Sequence, residues 1–400
     1  MRKLIAPFAL NIALTIPALV ISFGGFEVSP LLKVLFYGLA VVASAFMLGW
    51  ISEAAELDLR GGLAIGLLAV INILPEYVVD FYFAFAAGKN PAMEHYASAN
   101  LTGANRLLLG FGWPIIALMG FLALRSRKAG SSEVSVKYGI KLGQESRVDL
   151  GFLIIASVLA FLVPLTGRID WYLGVVLILL FVFYLIKVSD QDKEEPELEG
   201  IPALVGALPK WKRRTFLLVI ALYAAFAIFI SASPFADSLV ESGRLLGINE
   251  FVLVQWVAPI ATEAPEFIVA FMFALRGKPS IGLAVLVSSK VNQWTALAGS
   301  LPIAFAMGGG SGSLPMDSIQ IEEFLLTIGQ TVFGVALLLT LRLGFRASVL
   351  LMVLFVSTIV FPTPEVRIWI SYLYFAISIP LLIWRRRELW LTIKAPFVKA

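Results

Sequence analysis

The sequence predicts an all-α polytopic membrane protein of about 12 transmembrane helices, arranged as two inverted five-helix repeats that form a ten-helix core with one extra helix at each end. Three observations predict this. The 400 residues are 59% hydrophobic and only 14% charged, against about 25% charged in a typical soluble domain. The apolar residues fall in runs of about 20, the length a helix needs to cross hydrocarbon, and not in the short alternating segments of a membrane barrel. Two distant stretches also share a Pro-Glu pair in the middle of an apolar run: Leu74-Pro75-Glu76-Tyr77-Val78-Val79-Asp80 and Ala264-Pro265-Glu266-Phe267-Ile268-Val269.

The spans are expected near 4–23, 31–55, 62–88, 97–124, 148–166, 169–186, 215–236, 251–275, 280–307, 322–341, 346–361 and 367–384. The first has a long apolar stretch and no small-residue cleavage site behind it, so it is taken as a span and not as a signal peptide. With the N-terminus inside, the inner segments collect most of the basic residues. They hold Arg125, Arg127, Lys128, Lys137, Lys141 and Arg147 in one loop, Lys210, Lys212, Arg213 and Arg214 in another, and Arg385, Arg386 and Arg387 at the end. The outer segments hold only Lys33, Lys89, Arg168, Arg244 and Arg367. This bias fits twelve spans with both termini cytoplasmic. The expected location is the plasma membrane of a prokaryote.

The chain divides into an extra N-terminal helix (1–30), a first repeat (31–187), a cytoplasmic linker (188–214), a second repeat (215–361), and an extra helix with a basic tail (362–400). The linker opens on the acidic run Asp190-Gln191-Asp192-Lys193-Glu194-Glu195, a solvated loop. Five spans per repeat make the second copy enter from the opposite side. That is the inverted repeat of secondary transporters, whose substrate site lies at the membrane midplane between the copies.

A carboxylate at midplane costs roughly 2.5–3.5 kcal/mol on insertion scales. A proline beside it removes a backbone donor, breaks the helix, and frees carbonyls to face a cation. The candidate midplane acids are Glu76, Asp80, Glu263 and Glu266, spaced four and three apart so that each pair shares a helix face. Two bases, Arg106 and Lys290, fall within spans and bring the formal charge of this set to −2 (four acids minus two bases). An ammonium about 4 Å from a carboxylate contributes roughly 4 kcal/mol at an effective dielectric near 20, which is what a bound monovalent cation would contribute there. Lysine also gives up its proton readily when buried. Lys290 is therefore expected to pair with Glu76 or Glu266 and to release a proton when a metal cation enters. Asn72, Asn100 and Asn105 offer amide oxygens or bonds between helices. Gly103, Gly110 and Gly112 fit close helix packing.

Several classes are excluded. There is no cysteine and a single histidine, His95, so thiolate and multi-histidine metal sites are absent. No G-x-G-D or H-E-x-x-H signature marks an intramembrane hydrolase, so the chain is not expected to be an enzyme. No P-loop binds a nucleotide, so the energy must come from an ion gradient. The basic residues flank spans, so the net charge of +4 gives no reason to expect nucleic acid. The expected partners are inorganic cations and the lipid bilayer. No cofactor is expected, the transported sodium, calcium or protons being substrates.

At these residues the sequence resembles the cation/calcium exchanger superfamily, whose two repeats each carry G-T-S-x-P-E and then, after a turn, G-N-x-x-G-S-N-x-x-N or a version ending in Asp. Here the first motif reads Ile71-Asn72-Ile73-Leu74-Pro75-Glu76 and Ala261-Thr262-Glu263-Ala264-Pro265-Glu266. The second reads Gly103-Ala104-Asn105-Arg106-Leu107-Leu108 and Ser288-Ser289-Lys290-Val291-Asn292-Gln293. The resemblance implies alternating access by a ten-helix core, with Glu76 and Glu266 coordinating the ion and Thr262, Ser289 and Gln293 adding oxygens. The chain departs from the pattern at Ile73 and Glu263, where the family has serine, and at Leu108 and Lys290. The expected function is a secondary active cation antiporter of the sodium/calcium exchanger type, proton-coupled through Lys290. Its rivals are a sodium/proton exchanger without calcium transport and a non-transporting membrane protein that retains the fold.

Overall fold

A computed structural model describes residues 2–58, 73–126, 134–135, 139–189, 198 and 200–398. Its helices in chain order begin with α1 (Arg2–Gly24), α2 (Pro30–Ala55), α3 (Leu74–Lys89), α4 (Ala99–Leu107) and α5 (Trp113–Ser126). Next come α6 (Ser146–Ala160), α7 (Leu162–Thr166), α8 (Trp171–Ser189), α9 (Ile201–Gly206), α10 (Lys210–Leu246) and α11 (Glu250–Leu275). The last are α12 (Pro279–Asn292), α13 (Ala298–Met307), α14 (Ser318–Leu338), α15 (Phe345–Val360), α16 (Pro364–Trp384) and α17 (Arg386–Lys394). Strands are confined to short pairings such as Arg168–Ile169 with Leu314–Pro315.

Among the described residues, nine helical stretches are long and apolar enough to cross a bilayer, and α15 is a shorter apolar helix. The protein is an all-α polytopic integral membrane protein. Each expected span meets a helix, although 59–72, the start of the third, lies outside the described residues.

The chain forms two compact units, and each draws on both halves of the sequence. The first comprises 1–83 and 188–265, the second 84–187 and 266–400. In the first unit α2 lies between α1 and α10. Phe8 fits edge-on against Trp50 (5.4 Å) and Phe216 (4.9 Å), and Met47, Leu48, Ile51, Leu217 and Ile228 fill the space between helices. Tyr82 of α3 donates to both carboxylate oxygens of Asp237 on α10, at 2.7 and 2.8 Å. In the second unit α14 packs along α16. Asp317 caps α14 in a reciprocal pair with Gln320, and His95 bonds the same carboxylate.

One local expectation fails. The second Pro-Glu pair does not interrupt its helix: α11 runs unbroken through Pro259 and Pro265. Neighbouring helices hold a proline inside a membrane helix even though its missing N–H leaves a carbonyl four residues back without its usual donor. In α11 those carbonyls belong to Gln255 and Ala261. The first pair sits at a helix start, with Pro75 and Glu76 in the first turn of α3, where a missing N–H costs nothing.

At the end of α2, outside the bilayer, Asp58 accepts from Arg213 Nε at 2.7 Å and Arg214 Nε at 3.2 Å. The hydrogen bond from Arg213 holds its carboxyl below the usual carboxylate range, against the opposing effect of burial. A depressed folded pKa means that the clamp stabilises above the unfolded value near 3.9 and is lost as pH falls through the folded one. Asp58→Asn is expected to remove roughly 1.5–3 kcal/mol. In thermal unfolding its midpoint should fall well below wild type at pH 7, with the gap closing below about pH 4.

Candidate functional site

The first unit contributes Glu76, Asp80, Thr262 and Glu263. The three acids are 3%, 0% and 1% exposed, so their carboxylates are withdrawn from both lipid and water. The Thr262 hydroxyl turns back along its own helix to the carbonyl of Ala258 at 3.2 Å. Asn72 lies outside the described residues.

The second unit contributes Glu266, Ser289, Lys290, Gln293, Asn105 and Arg106. Ser289 donates to the half-buried carboxylate of Glu266. Lys290 is fully buried. Its ammonium donates to the backbone carbonyl and to Oδ1 of Asn105, both at 3.0 Å, and stands 5.5 Å from the centre of the Trp294 ring. Asn105 in turn donates its amide N–H to the Leu101 carbonyl at 2.9 Å, which fixes Oδ1 toward the lysine. The ammonium thus rests on Asn105 and not on the Glu266 carboxylate. The reason lies in the motif itself: Asn105 and Lys290 occupy the same place in the two motif runs, and α4 and α12 bring these places together. Gln293 is fully buried.

Three residues past Asn105 and past Lys290 the helix widens into a single π-turn, Leu108–Gly112 in one run and Gln293–Leu297 in the other. Such turns carry an extra residue in the helix and recur at functional sites. They gave no sequence signal beyond the glycines of the first. Gly110 lets the turn approach Phe355 and the Gln330 amide, where a Cβ would collide.

Arg106 has its own partner. Its guanidinium bonds Glu323 and Thr358, and Glu323 also accepts from Arg367 at 3.0 Å. Arg106 and Glu323 are each 1% exposed. The charge of Arg106 is therefore answered by an acid outside the motifs, which moves the formal sum of the four candidate acids with Lys290 alone from −2 to −3. Two further residues outside the motifs, Asp149 and Tyr184, meet Ser288 at the start of the second run: Tyr184 donates to Asp149 Oδ1 at 2.9 Å and lies 2.6 Å from Ser288 Oγ. Among the described residues no three His, Asp or Glu side chains stand together as a metal-holding group.

Residues 28–189 and 216–363 match the family described as Sodium/calcium exchanger protein. The chain belongs to the sodium/calcium exchanger family. Its members are transporters, not enzymes, and the ions they move are substrates, not cofactors. A crystal structure titled as the H+/Ca2+ exchanger CAX is 37% identical, with a TM-score of 0.90 over 97% of this chain and 96% of that one. Native YfkE (15% identity, TM-score 0.62, 92% of this chain and 99% of that one) and the sodium-calcium exchanger NCX_Mj (15%, 0.50, 88% and 99%) share the fold. No curated protein matches this exchanger.

The pairing around Glu323 gives a stability prediction. Glu323→Gln leaves the buried Arg106 guanidinium facing a neutral amide, while Arg367 keeps Glu322 at 3.6 Å, at a cost of about 3–5 kcal/mol. The variant is expected to lose a large part of its thermal midpoint in detergent. An unchanged midpoint would mean that the network adds nothing to the fold.

Proposed function

We propose that this exchanger moves calcium against protons across the plasma membrane of a prokaryote, with both termini in the cytoplasm. The clustering of arginine and lysine in alternate loops supports that orientation. The observation that carries the substrate pair is the 37% identity to the H+/Ca2+ exchanger CAX over nearly the full length of both chains. Lys290 supports it independently: a buried ammonium seated on neutral oxygens is a positive charge that can leave as a proton when a metal cation arrives.

Within the first unit Glu76, Asp80 and Glu263, and within the second Glu266, are the carboxylates offered to calcium, which takes six to eight oxygen ligands. The Ser289 hydroxyl, the Thr262 hydroxyl, the amides of Asn72, Asn105 and Gln293, and the carbonyls freed by Pro259 and Pro265 are the neutral donors. Arg106, held by Glu323, serves the fold and keeps α4, with Asn105, in place beside Lys290. Each half-cycle exposes the acids to one side of the membrane, calcium enters as protons leave, and the pH gradient supplies the energy.

Purified protein in liposomes tests this. A pH gradient imposed without sodium is expected to drive uptake of labelled calcium, and Glu76→Gln or Glu266→Gln should abolish it. Uptake driven by a sodium gradient and indifferent to pH would contradict the proposal.

A further inference from the structure

Asp149 lies in the first turn of α6, Tyr184 near the end of α8 and Ser288 near the end of α12, all within the second unit. The Tyr184 hydroxyl links the other two, at 2.9 Å to Asp149 Oδ1 and 2.6 Å to Ser288 Oγ. A phenol carries one proton. While Asp149 is ionised, Tyr184 gives that proton to the carboxylate, so Ser288 must donate to Tyr184. Once Asp149 is protonated, the carboxyl can donate to Tyr184 and Tyr184 to Ser288. The chain thus has two self-consistent hydrogen-bond arrangements of opposite polarity, and they differ by one proton on Asp149.

The two ends lie in different surroundings. Asp149 follows the polar run Lys141-Leu142-Gly143-Gln144-Glu145, whose Lys141, Gln144 and Glu145 are exposed. Ser288 precedes Ser289, which bonds Glu266, and Lys290. The basic side chains Arg147, Lys187 and Arg385 have other partners. Arg147 bonds Gln144, the Leu339 carbonyl and Thr392 of α17; Lys187 of α8 bonds the Val398 carbonyl; and Arg385 bonds the carbonyls of Ala336 and Leu337 at the end of α14. The acid beside it is Glu145. The carboxyl group therefore faces a phenol and a neighbouring acid, with these bases held by other partners.

We propose that Asp149, Tyr184 and Ser288 carry the exchanged proton between the turn bearing Ser289 and Lys290 and the aqueous end of α6. The inference rests on the proton-coupled function above. A proton that reaches Ser288 Oγ lets Ser288 pass its own proton to Tyr184, and Tyr184 passes its own to Asp149 Oδ1. Each hydroxyl ends with one proton, the carboxylate becomes a carboxylic acid, and that acid gives the proton to water. Only O–H bonds form or break.

Tyr184→Phe keeps the ring that packs on Phe152 and Phe181 (5.3 and 6.1 Å between centres) and removes the hydroxyl. Two measurements on proteoliposomes separate the outcomes: calcium-for-calcium counterflow at equal pH, which needs no proton, and calcium-driven proton movement read by an entrapped pH dye. In Tyr184→Phe, and likewise in Asp149→Asn, counterflow is expected to persist while proton movement slows about a hundredfold, the low end for a positioned proton-transfer group. Proton movement at the wild-type rate overturns the relay. So does a parallel loss of both activities in both variants, which would mark a packing role. Wild-type protein that exchanges calcium without moving protons refutes the coupled function, and the relay with it.

Discussion

Burying an ammonium with no carboxylate on it among the described residues is the constraint around which the second unit is built. Removing such an ion from water costs several kcal/mol even after relaxation. Lys290 is fully buried, and what meets its charge is two oxygens of Asn105 and the face of Trp294. Cation–π contacts contribute about 0.5–2 kcal/mol, and the amide and carbonyl contribute as dipoles. A neutral amine keeps two N–H groups for the same two oxygens, though each bond is weaker than an ammonium's. The pocket therefore tolerates both protonation states, which a carboxylate partner would not.

Arg106, one residue beyond the asparagine that holds the lysine, shows the alternative. It is equally buried, but a guanidinium stays charged under all ordinary conditions, and the fold answers it with a fixed acid, Glu323, shared with Arg367. One base has a carboxylate partner, and the other has neutral oxygens. Trp294 joins the two features: it lies in the π-turn that follows Lys290 and stacks on Phe324 (5.9 Å), the neighbour of Glu323 in α14. The widened turn thus places an aromatic face against the ammonium and ties it to the helix carrying the arginine's partner.

The spans, the paired Pro-Glu motifs and the bases inside the membrane were legible in the sequence because each is local. Length and hydropathy define a span, and a charge in an apolar run stands out by itself. The continuity of α11 through Pro265 was not legible, since whether a proline breaks a membrane helix is decided by the helices packed around it. The partners of the buried charges were hidden for the same reason. Glu323 is 217 residues from Arg106, and Asn105 is 185 residues from Lys290. Asp149 and Tyr184 carry no signal in the sequence, and only α6, α8 and α12 bring them to Ser288. Only the match between the two motif runs hinted at the Asn105–Lys290 contact.

The claim that Lys290 is the exchangeable charge is tested most directly by counting protons released as calcium binds to purified protein. Calorimetric titrations in two buffers of different ionisation enthalpy, at one pH, give that count for wild type and for Lys290→Asn. The account predicts that the variant still binds calcium and releases one proton fewer per ion bound. An identical proton count in the two proteins would contradict it.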